Sequence, residues 1–326
     1  MKVCIAGLGA IGGLFAARLA AAGHEVSALA RGATLVAVRE RGLVLISTKG
    51  ERSVHRISVA ADARELPTPE LLVIALKGPA LATDARALAP LVGAQTTVLV
   101  AMNGVPWWFL QVRDPGSAAL ASVDPHGHIA ATLPLARTLG AVLHLTCHTT
   151  APGELRHGLG ERVIVGEPAG GASPRAGHIA LALTDAGFKA ETSADIRHDL
   201  WFKLWGNMTM NPVSALTGAA CDAILDDALV RGFMAAAMAE AAAVGARIGC
   251  PIEQSAEARM AVTRQLGSFK TSMLYDAQAG RPLEIEALIG AVREIGQRVG
   301  VATPNIDALL GLVRLMARTR GLAPQA

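Results

Sequence analysis

The chain is poor in aromatic side chains, in charge and in cysteine. Only 3% of its 326 residues are Phe, Trp or Tyr and 17% are charged, so it lacks the stacking platforms and charge runs of a nucleic-acid binder. Lys+Arg number 30 against 27 Asp+Glu, a formal net charge of +3. The cations are scattered, which excludes a basic footprint for nucleic acid. Cys4, Cys147, Cys221 and Cys250 form no C-x-x-C pair, so reduced, structural thiols are expected. His126, His128, His144 and His148 lack nearby Cys or acidic ligands that would complete a zinc site, and no metal is expected.

Long apolar runs are also missing. The stretch 98–110 is broken by Asn103, Gly104 and Pro106, and 228–249 contains Arg231, Glu240 and Arg247. Neither reaches the roughly 18 uninterrupted apolar residues of a membrane span. Gly7 and Gly9 interrupt anything resembling a signal peptide, so the expected setting is the cytoplasm, with no membrane partner. What the chain has is a hydrophobic fraction of 52% and 34 glycines, over a length sufficient for two domains with buried cores.

The glycines matter first near the start. Lys2-Val3-Cys4-Ile5-Ala6 reads as a buried strand and runs into Gly7-Leu8-Gly9-Ala10-Ile11-Gly12-Gly13. Leu14, Phe15, Ala17, Leu19 and Ala20 then supply an apolar helix face, and Gly23 stops that helix before a second strand at 25–30. G-x-G-x-x-G in this setting gives a tight turn, a close backbone approach for a pyrophosphate, and a helix N-terminus whose free amides attract anions. A dinucleotide site is expected, the plainer reading being an ordinary βαβ turn. At the end of the second strand an Asp or Glu would bind the ribose hydroxyls of NAD, whereas Arg31 offers charge-assisted bonds to a 2′-phosphate, so NADP(H) is favoured.

Further strand-like runs at 43–46, 57–59, 71–76 and 98–102 alternate with helical patterns, which predicts an α/β, Rossmann-type, doubly wound sheet. The stretches 141–148, 153–157 and 162–166 read as a meander, followed by a helix at 174–186 and an edge strand at 189–192. Beyond that, helical runs at 200–210, 228–248, 255–270, 283–299 and 305–318 predict an all-α second domain, with 321–326 as a short tail. The expected division is 1–193 for the nucleotide-binding domain and 194–326 for a helical substrate and catalytic domain. An active site is expected in the cleft between them, outside the carboxyl ends of the parallel strands.

Chemistry-bearing residues fall in three places. Lys77 and Asn103 each follow a buried apolar run at its carboxyl end, although Asn103-Gly104 is equally a turn signal. Lys203, Asn207 and Asn211 are spaced i, i+4, i+8, one stripe on a helix that drifts about 40° per step, bordered by Leu200, Leu204 and Met210. Pro212 is expected to end that helix at Asn211, facing its last polar group into a cleft. Glu284 falls at the edge of the apolar face formed by Ile285, Leu288, Ile289 and Val292, where a carboxylate needs a cation or a hydroxyl-bearing ligand. Lys203 is such a cation. Plainer readings are a solvated helix edge for Lys203 and a dipole-favoured helix-start acid for Glu284.

Taken together, Gly7-Leu8-Gly9-Ala10-Ile11-Gly12, Arg31, Leu76-Lys77, Asn103-Gly104, Leu200-Trp201-x-Lys203-Leu204, Asn207, Asn211-Pro212, Thr271-Ser272-Met273-Leu274-x-Asp276 and Glu284-Ile285-Glu286 resemble the ketopantoate reductases (2-dehydropantoate 2-reductases), nearly end to end. The resemblance implies NADPH-dependent reduction of a small 2-oxo acid, 2-dehydropantoate to pantoate, on the route to pantothenate and coenzyme A. It implies that Lys203 is the general acid and that Glu284 binds substrate hydroxyl and orients it. Asn207 and Asn211 would hold the hydroxyl end of the substrate and Ser272 its carboxylate, while Asn103 would stand where nicotinamide and substrate meet. The glycine loop, Arg31 and Lys77, with Asn103 and Glu284, would contact the cofactor. The implied chemistry is sound, since hydride addition builds negative charge on oxygen and an ammonium can stabilise and protonate it.

Two departures bear on the substrate. Trp107 and Trp108 follow the Asn103-Gly104 turn, as pocket walls or as core, and Gly218-Ala219-Ala220-Cys221 stands where a further family asparagine is expected. A paralogous hydroxy-acid dehydrogenase and a non-catalytic NADP sensor are the competing readings, and the Lys203–Glu284 pair disfavours the sensor. The apolar helices serve equally to cover a core or to form a homodimer.

Overall fold

The computed structural model describes residues 1–113, 118–265 and 267–323. The chain gathers into two compact units, one of Met1–Met102, Trp107–Ala119 and His126–Arg197, the other of Asn103–Pro106, Leu120–Pro125 and His198–Ala326. A single cut at 193/194 misses two short segments of the N-terminal half. Val105 donates its N–H to the Ala287 carbonyl at 2.8 Å, and Ala121 and Ser122 donate theirs to the Glu294 carboxylate at 2.9 Å, so both segments belong with the later helices.

The described strands all lie in the first unit: β1 (Lys2–Ala6), β2 (Glu25–Leu29), β3 (Leu43–Ile46), β4 (Arg52–His55), β5 (Ser58–Ala60), β6 (Leu71–Ile74), β7 (Thr97–Val100), β8 (Thr138–His144), β9 (Cys147–Ala151), β10 (Glu154–His157), β11 (Arg162–Gly166) and β12 (Lys189–Thr192). Eight of them form one sheet in the order β12-β11-β8-β7-β6-β1-β2-β5. Every pairing is parallel except β11 with β8. The near-continuous apolar character of β1 and β6 reflects burial on both faces. β1 lies between β2 and β6, with Ala6 opposite Leu29 and Ile74. The strand order therefore reverses at β1, and a crevice opens beyond its carboxyl end.

The other four strands form a separate sheet, β4-β3-β10-β9, in which only β3 and β10 run parallel. The expected meander is thus split: β8 and β11 extend the large sheet, while β9 and β10 join β3. The cause is the first helix, Ala10–Ala21, which is buried at Gly12, Gly13, Leu14, Phe15, Ala16, Ala17 and Leu19 and touches strands of both sheets. A helix apolar around most of its circumference has to be covered from two sides. Gly13 lies so close to Leu155 of β10 that a side chain there would collide with it. Trp107 and Trp108, at 2% and 0% exposure, are core residues of this unit, with the Trp108 ring against Gly140 of β8.

The second unit is helical. Its described helices are Cys221–Asp226, Ala228–Arg247, Ala256–Arg264, Ser272–Gln278, Ala291–Arg298 and Pro304–Thr319, together with most of the long helix Ile196–Thr217. A π-helical turn, Glu286–Gly290, precedes Ala291–Arg298. The expected run at 255–270 is shorter, capped by the Ser255 hydroxyl accepting from the Ala258 N–H, and its Leu266 lies outside the described residues, as do residues 324–326 of the expected tail.

Pro212 does not end its helix, which continues to Thr217. A proline in a helix interior costs about 3 kcal/mol through its missing N–H and ring clash. Here Met208, Met210, Val213 and Ala215 are all buried around it, and fully burying a large apolar side chain contributes roughly 1.5–3 kcal/mol. Packing on both sides of the proline outweighs the local preference. Ala228–Arg247 is long and apolar enough by composition to cross a membrane. In this fold it buries Met234, Ala237, Met238, Ala241 and Val244, and its Glu240 accepts the N–H groups of Asn305 and Ile306, satisfying the first turn of Pro304–Thr319.

Phe15 is fully buried, with its ring centroid 4.8 Å from that of Phe188. Phe15→Ala is expected to lower the unfolding free energy by about 3–5 kcal/mol in urea denaturation. A loss below about 1 kcal/mol would mean that this helix is not the element joining the two sheets.

Candidate active site

Each fingerprint glycine has a separate physical reason. Gly7 has φ +100°, and a Cβ on it would stand 2.9 Å from the Leu76 side chain and 3.0 Å from the Ala75 oxygen. A Cβ on Gly12 would collide with the Gly7 carbonyl, so this glycine lets helix and strand approach. Gly9 differs, because nothing lies within 4 Å of its missing side chain. The backbone there faces open space, at a helix start with no side-chain cap and no acid in its first turn. Unfilled amides beside an open glycine suit a pyrophosphate. The residues from Gly7 to Gly12, Leu8, Ala10 and Ile11 included, therefore fit a dinucleotide.

Arg31 and Lys77 follow β2 and β6 at the same edge of the large sheet. Arg31 begins the helix Gly32–Arg41, and its side chain is 67% exposed. Its Nη1 donates to Asp84 Oδ2 at 2.8 Å, so an incoming phosphate would share this guanidinium with Asp84. Lys77 stands at the start of the helix Gly78–Asp84 and is half-buried.

A perturbed lysine stands in the second unit. Lys203 lies in the helix Ile196–Thr217, half-buried, beside the buried residues Leu200, Leu204 and Trp205 of the same helix. Burial pulls its ammonium down from the ordinary lysine value to about 8, while the negative charge of Glu284 pulls it back up. Lys203 Nζ donates a hydrogen bond to Asn103 Oδ1 at 2.8 Å. Residues 100 and 81 positions away in the chain thus converge on one amine.

A backbone seat holds Asn103 in place. Gly104 has φ +86°, and a Cβ on it would lie 2.6 Å from the Ala287 carbonyl oxygen. The same carbonyl accepts the Val105 N–H. Ala287 belongs to the π-helical turn that begins two residues after Glu284, so both partners of Lys203 are referred to one piece of backbone. That turn is clamped from the helix Pro304–Thr319, because Arg314 Nε donates to Glu286 Oε1 at 2.7 Å. The sequence signalled this seat only as a glycine after an asparagine, which reads as an ordinary turn.

The remaining expected residues are more dispersed. Asn207 is half-buried and Asn211 buried, on the same helix as Lys203. Ser272 stands exposed at the start of Ser272–Gln278, and no described hydrogen bond or ion pair joins it to Lys203.

Comparison with known proteins shows similarity along nearly the whole chain. Residues 3–170 match a family described as "Ketopantoate reductase PanE/ApbA", and residues 195–317 match its C-terminal part. A 2-dehydropantoate 2-reductase of Mesorhizobium japonicum is 42% identical over 324 residues, covering 98% of this chain and 99% of that protein. The crystal structure of a chain from Ralstonia solanacearum MolK2, provisionally named a ketopantoate reductase, matches with a TM-score of 0.94 and 57% identity, covering 98% and 99% of the two chains. That of the 2-dehydropantoate 2-reductase from Methylococcus capsulatus matches with a TM-score of 0.82 and 28% identity, covering 98% of each.

The opposing influences on Lys203 can be read directly. NMR titration of its ¹³Cε is expected to show a midpoint near 8, and Glu284→Gln should move that midpoint lower by removing the charge that supports the ammonium. An ordinary lysine value in the parent, or an upward move in the variant, would refute this electrostatic arrangement.

Proposed function

The chain belongs to the ketopantoate reductase family, and on that premise we propose that it reduces 2-dehydropantoate to pantoate with NADPH, in the cytoplasm, where its four free thiols stay reduced. It is an oxidoreductase acting on a CH–OH group, and its substrate is a small 2-oxo acid. Pantoate is the product from which pantothenate and coenzyme A are built.

The perturbed, half-buried lysine carries this reading. At neutral pH an amine with a pKa of about 8 is mostly protonated, yet it gives up its proton far more readily than an ordinary lysine. Lys203 would donate a hydrogen bond to the keto oxygen of the substrate. As charge builds on that oxygen, Nζ passes it a proton, so the C=O π bond is replaced by new C–H and O–H bonds. Asn103 holds the amine in position through its Oδ1. Glu284 keeps it protonated between turnovers.

The glycine loop fits a dinucleotide, as the open backbone at Gly9 and the uncapped helix start indicate. Bound there, NADPH would supply the hydride. Residues Gly7 to Gly12 would hold the pyrophosphate, Arg31 the 2′-phosphate and Lys77 the neighbouring ribose. The choice of NADP over NAD rests on Arg31, an exposed guanidinium where an acid would otherwise select ribose hydroxyls. On the substrate side, Asn207 and Asn211 would hold hydroxyl groups, with Glu284, and Ser272 a carboxylate oxygen.

In an NADPH-oxidation assay across a panel of 2-oxo acids, ketopantoate is expected to give the highest kcat/KM. Turnover confined to another 2-oxo acid would assign a different substrate, and no turnover at all would favour a sensor. Lys203→Ala should lower kcat by about 10²- to 10⁴-fold with NADPH affinity nearly intact, and the parent's rate of reduction should fall as pH rises through about 8. Equal losses in rate and cofactor affinity would make the lysine structural.

Cofactor choice is tested separately. Arg31→Asp should weaken NADPH binding at least about tenfold more than NADH binding, as expected for the loss of a charge-assisted phosphate contact. Parallel changes in both affinities would remove Arg31 from the phosphate site.

A further inference from the structure

One cation of the second unit is half-buried, with no carboxylate paired to it among the described residues. Arg259, on the helix Ala256–Arg264, lays its guanidinium along the helix that carries Lys203. Its Cζ is 5.4 Å from the Phe202 ring centroid. Its Nε and Nη2 lie 3.0 and 3.3 Å from where a Cβ on Gly206 would stand. Nε is buried with no hydrogen-bond partner. Among the described residues, Arg264, Arg281, Arg293, Arg298 and Arg314 of the same unit each pair with a carboxylate, and Arg259 pairs with none. Burial alone acts on it, pushing the guanidinium's pKa down.

Gly206 makes this contact possible. A glycine in a helix interior is disfavoured by about 1 kcal/mol relative to alanine, which calls for a compensating close approach. Here the approaching group is Arg259, lying on the ledge of Phe202 and Gly206 (i, i+4). Lys203 and Asn207 are the next residue along from each. Positions three apart on a helix have Cβ sites about 5–6 Å apart, so the Gly206 ledge neighbours the Lys203 side chain.

We propose that Arg259 is a specificity-determining residue that recognises the carboxylate of the 2-oxo acid. This rests on the reaction assigned above. A partly desolvated guanidinium with no protein counter-charge is completed by an anionic ligand. In a 2-oxo acid the carboxylate is bonded directly to the keto carbon. A carboxylate held at the Gly206 ledge leaves the keto oxygen beside the neighbouring lysine. Nε is sealed against the helix, so the terminal nitrogens are the groups that meet the ligand. The carboxylate keeps the same charge throughout reduction, so this contact stabilises ground state and transition state alike. It acts on KM and leaves kcat nearly unchanged.

The test is steady-state kinetics of the intact enzyme, Arg259→Gln and Arg259→Lys, at saturating NADPH. The substrates are ketopantoate and the pair 3,3-dimethyl-2-oxobutanoate and its methyl ester, which differ by the carboxylate charge. Arg259→Gln should raise KM for both acids about 10- to 100-fold, with kcat within about threefold and the ester unaffected. Arg259→Lys, which keeps the charge, should recover part of the loss, and thermal melting should verify that both variants fold. Unchanged KM for the acids, or equal losses for acid and ester, would overturn the proposal. A parent enzyme that turns over no 2-oxo acid would instead overturn the reaction assignment, which separates the two failures.

Discussion

The candidate site of the second unit turns on an ammonium partly withdrawn from water. Transfer of a charge into a protein interior is disfavoured by several kcal/mol unless acceptors or opposite charge replace the lost hydration. Around Lys203 the replacement is partial: one carbonyl oxygen from Asn103 and the field of Glu284, against apolar neighbours. That incompleteness is the useful property. Full compensation would leave an ordinary lysine that releases protons too reluctantly, and none would leave a neutral amine with no proton to give.

In the first unit the governing constraint is close approach of backbone. The strand reversal at β1 opens a crevice, but Gly7, Gly12 and Gly13 decide how near the helix Ala10–Ala21 comes to the strands around it. At all three the place of a side chain is taken by the protein's own atoms, whereas at Gly9 it is left open. The same residue type thus does opposite things within the seven positions from Gly7 to Gly13, packing the fold at some and exposing amides at another.

Much of this was legible in the sequence because it is local. β1, β2, β3 and β12, the glycine loop, the helix at 174–185 and the Lys203–Asn207–Asn211 stripe follow from periodicity and turn chemistry over a few residues. Sheet partnership was not read from the sequence, although the polar β9 and β10 differ from the apolar, buried β8 and β11; covering the first helix from a second side is what places β9 and β10 in another sheet. The continuation through Pro212 was hidden for a similar reason, being decided by long-range packing. Asn103 was visible as a polar residue after a strand, but its membership of the later helical unit depends on a carbonyl at Ala287, 184 positions on. The significance of Gly206 was there to be read, because a glycine one residue before Asn207 in a confident helix marks a close neighbour.

The π-helical turn at Glu286–Gly290 sets a rule about chain length. A π turn holds one residue more than the regular helical turn, and such insertions occur often at functional sites. Removing one residue here would let the segment relax into regular helix and rotate everything before it by about 100° relative to Ala291–Arg298. Glu284 and the Ala287 carbonyl would swing away together, taking the support of Asn103 with them. Substitutions in this segment are therefore graded in their effect, while a single deletion is all-or-none: the site tolerates changes of spelling far better than a change of count.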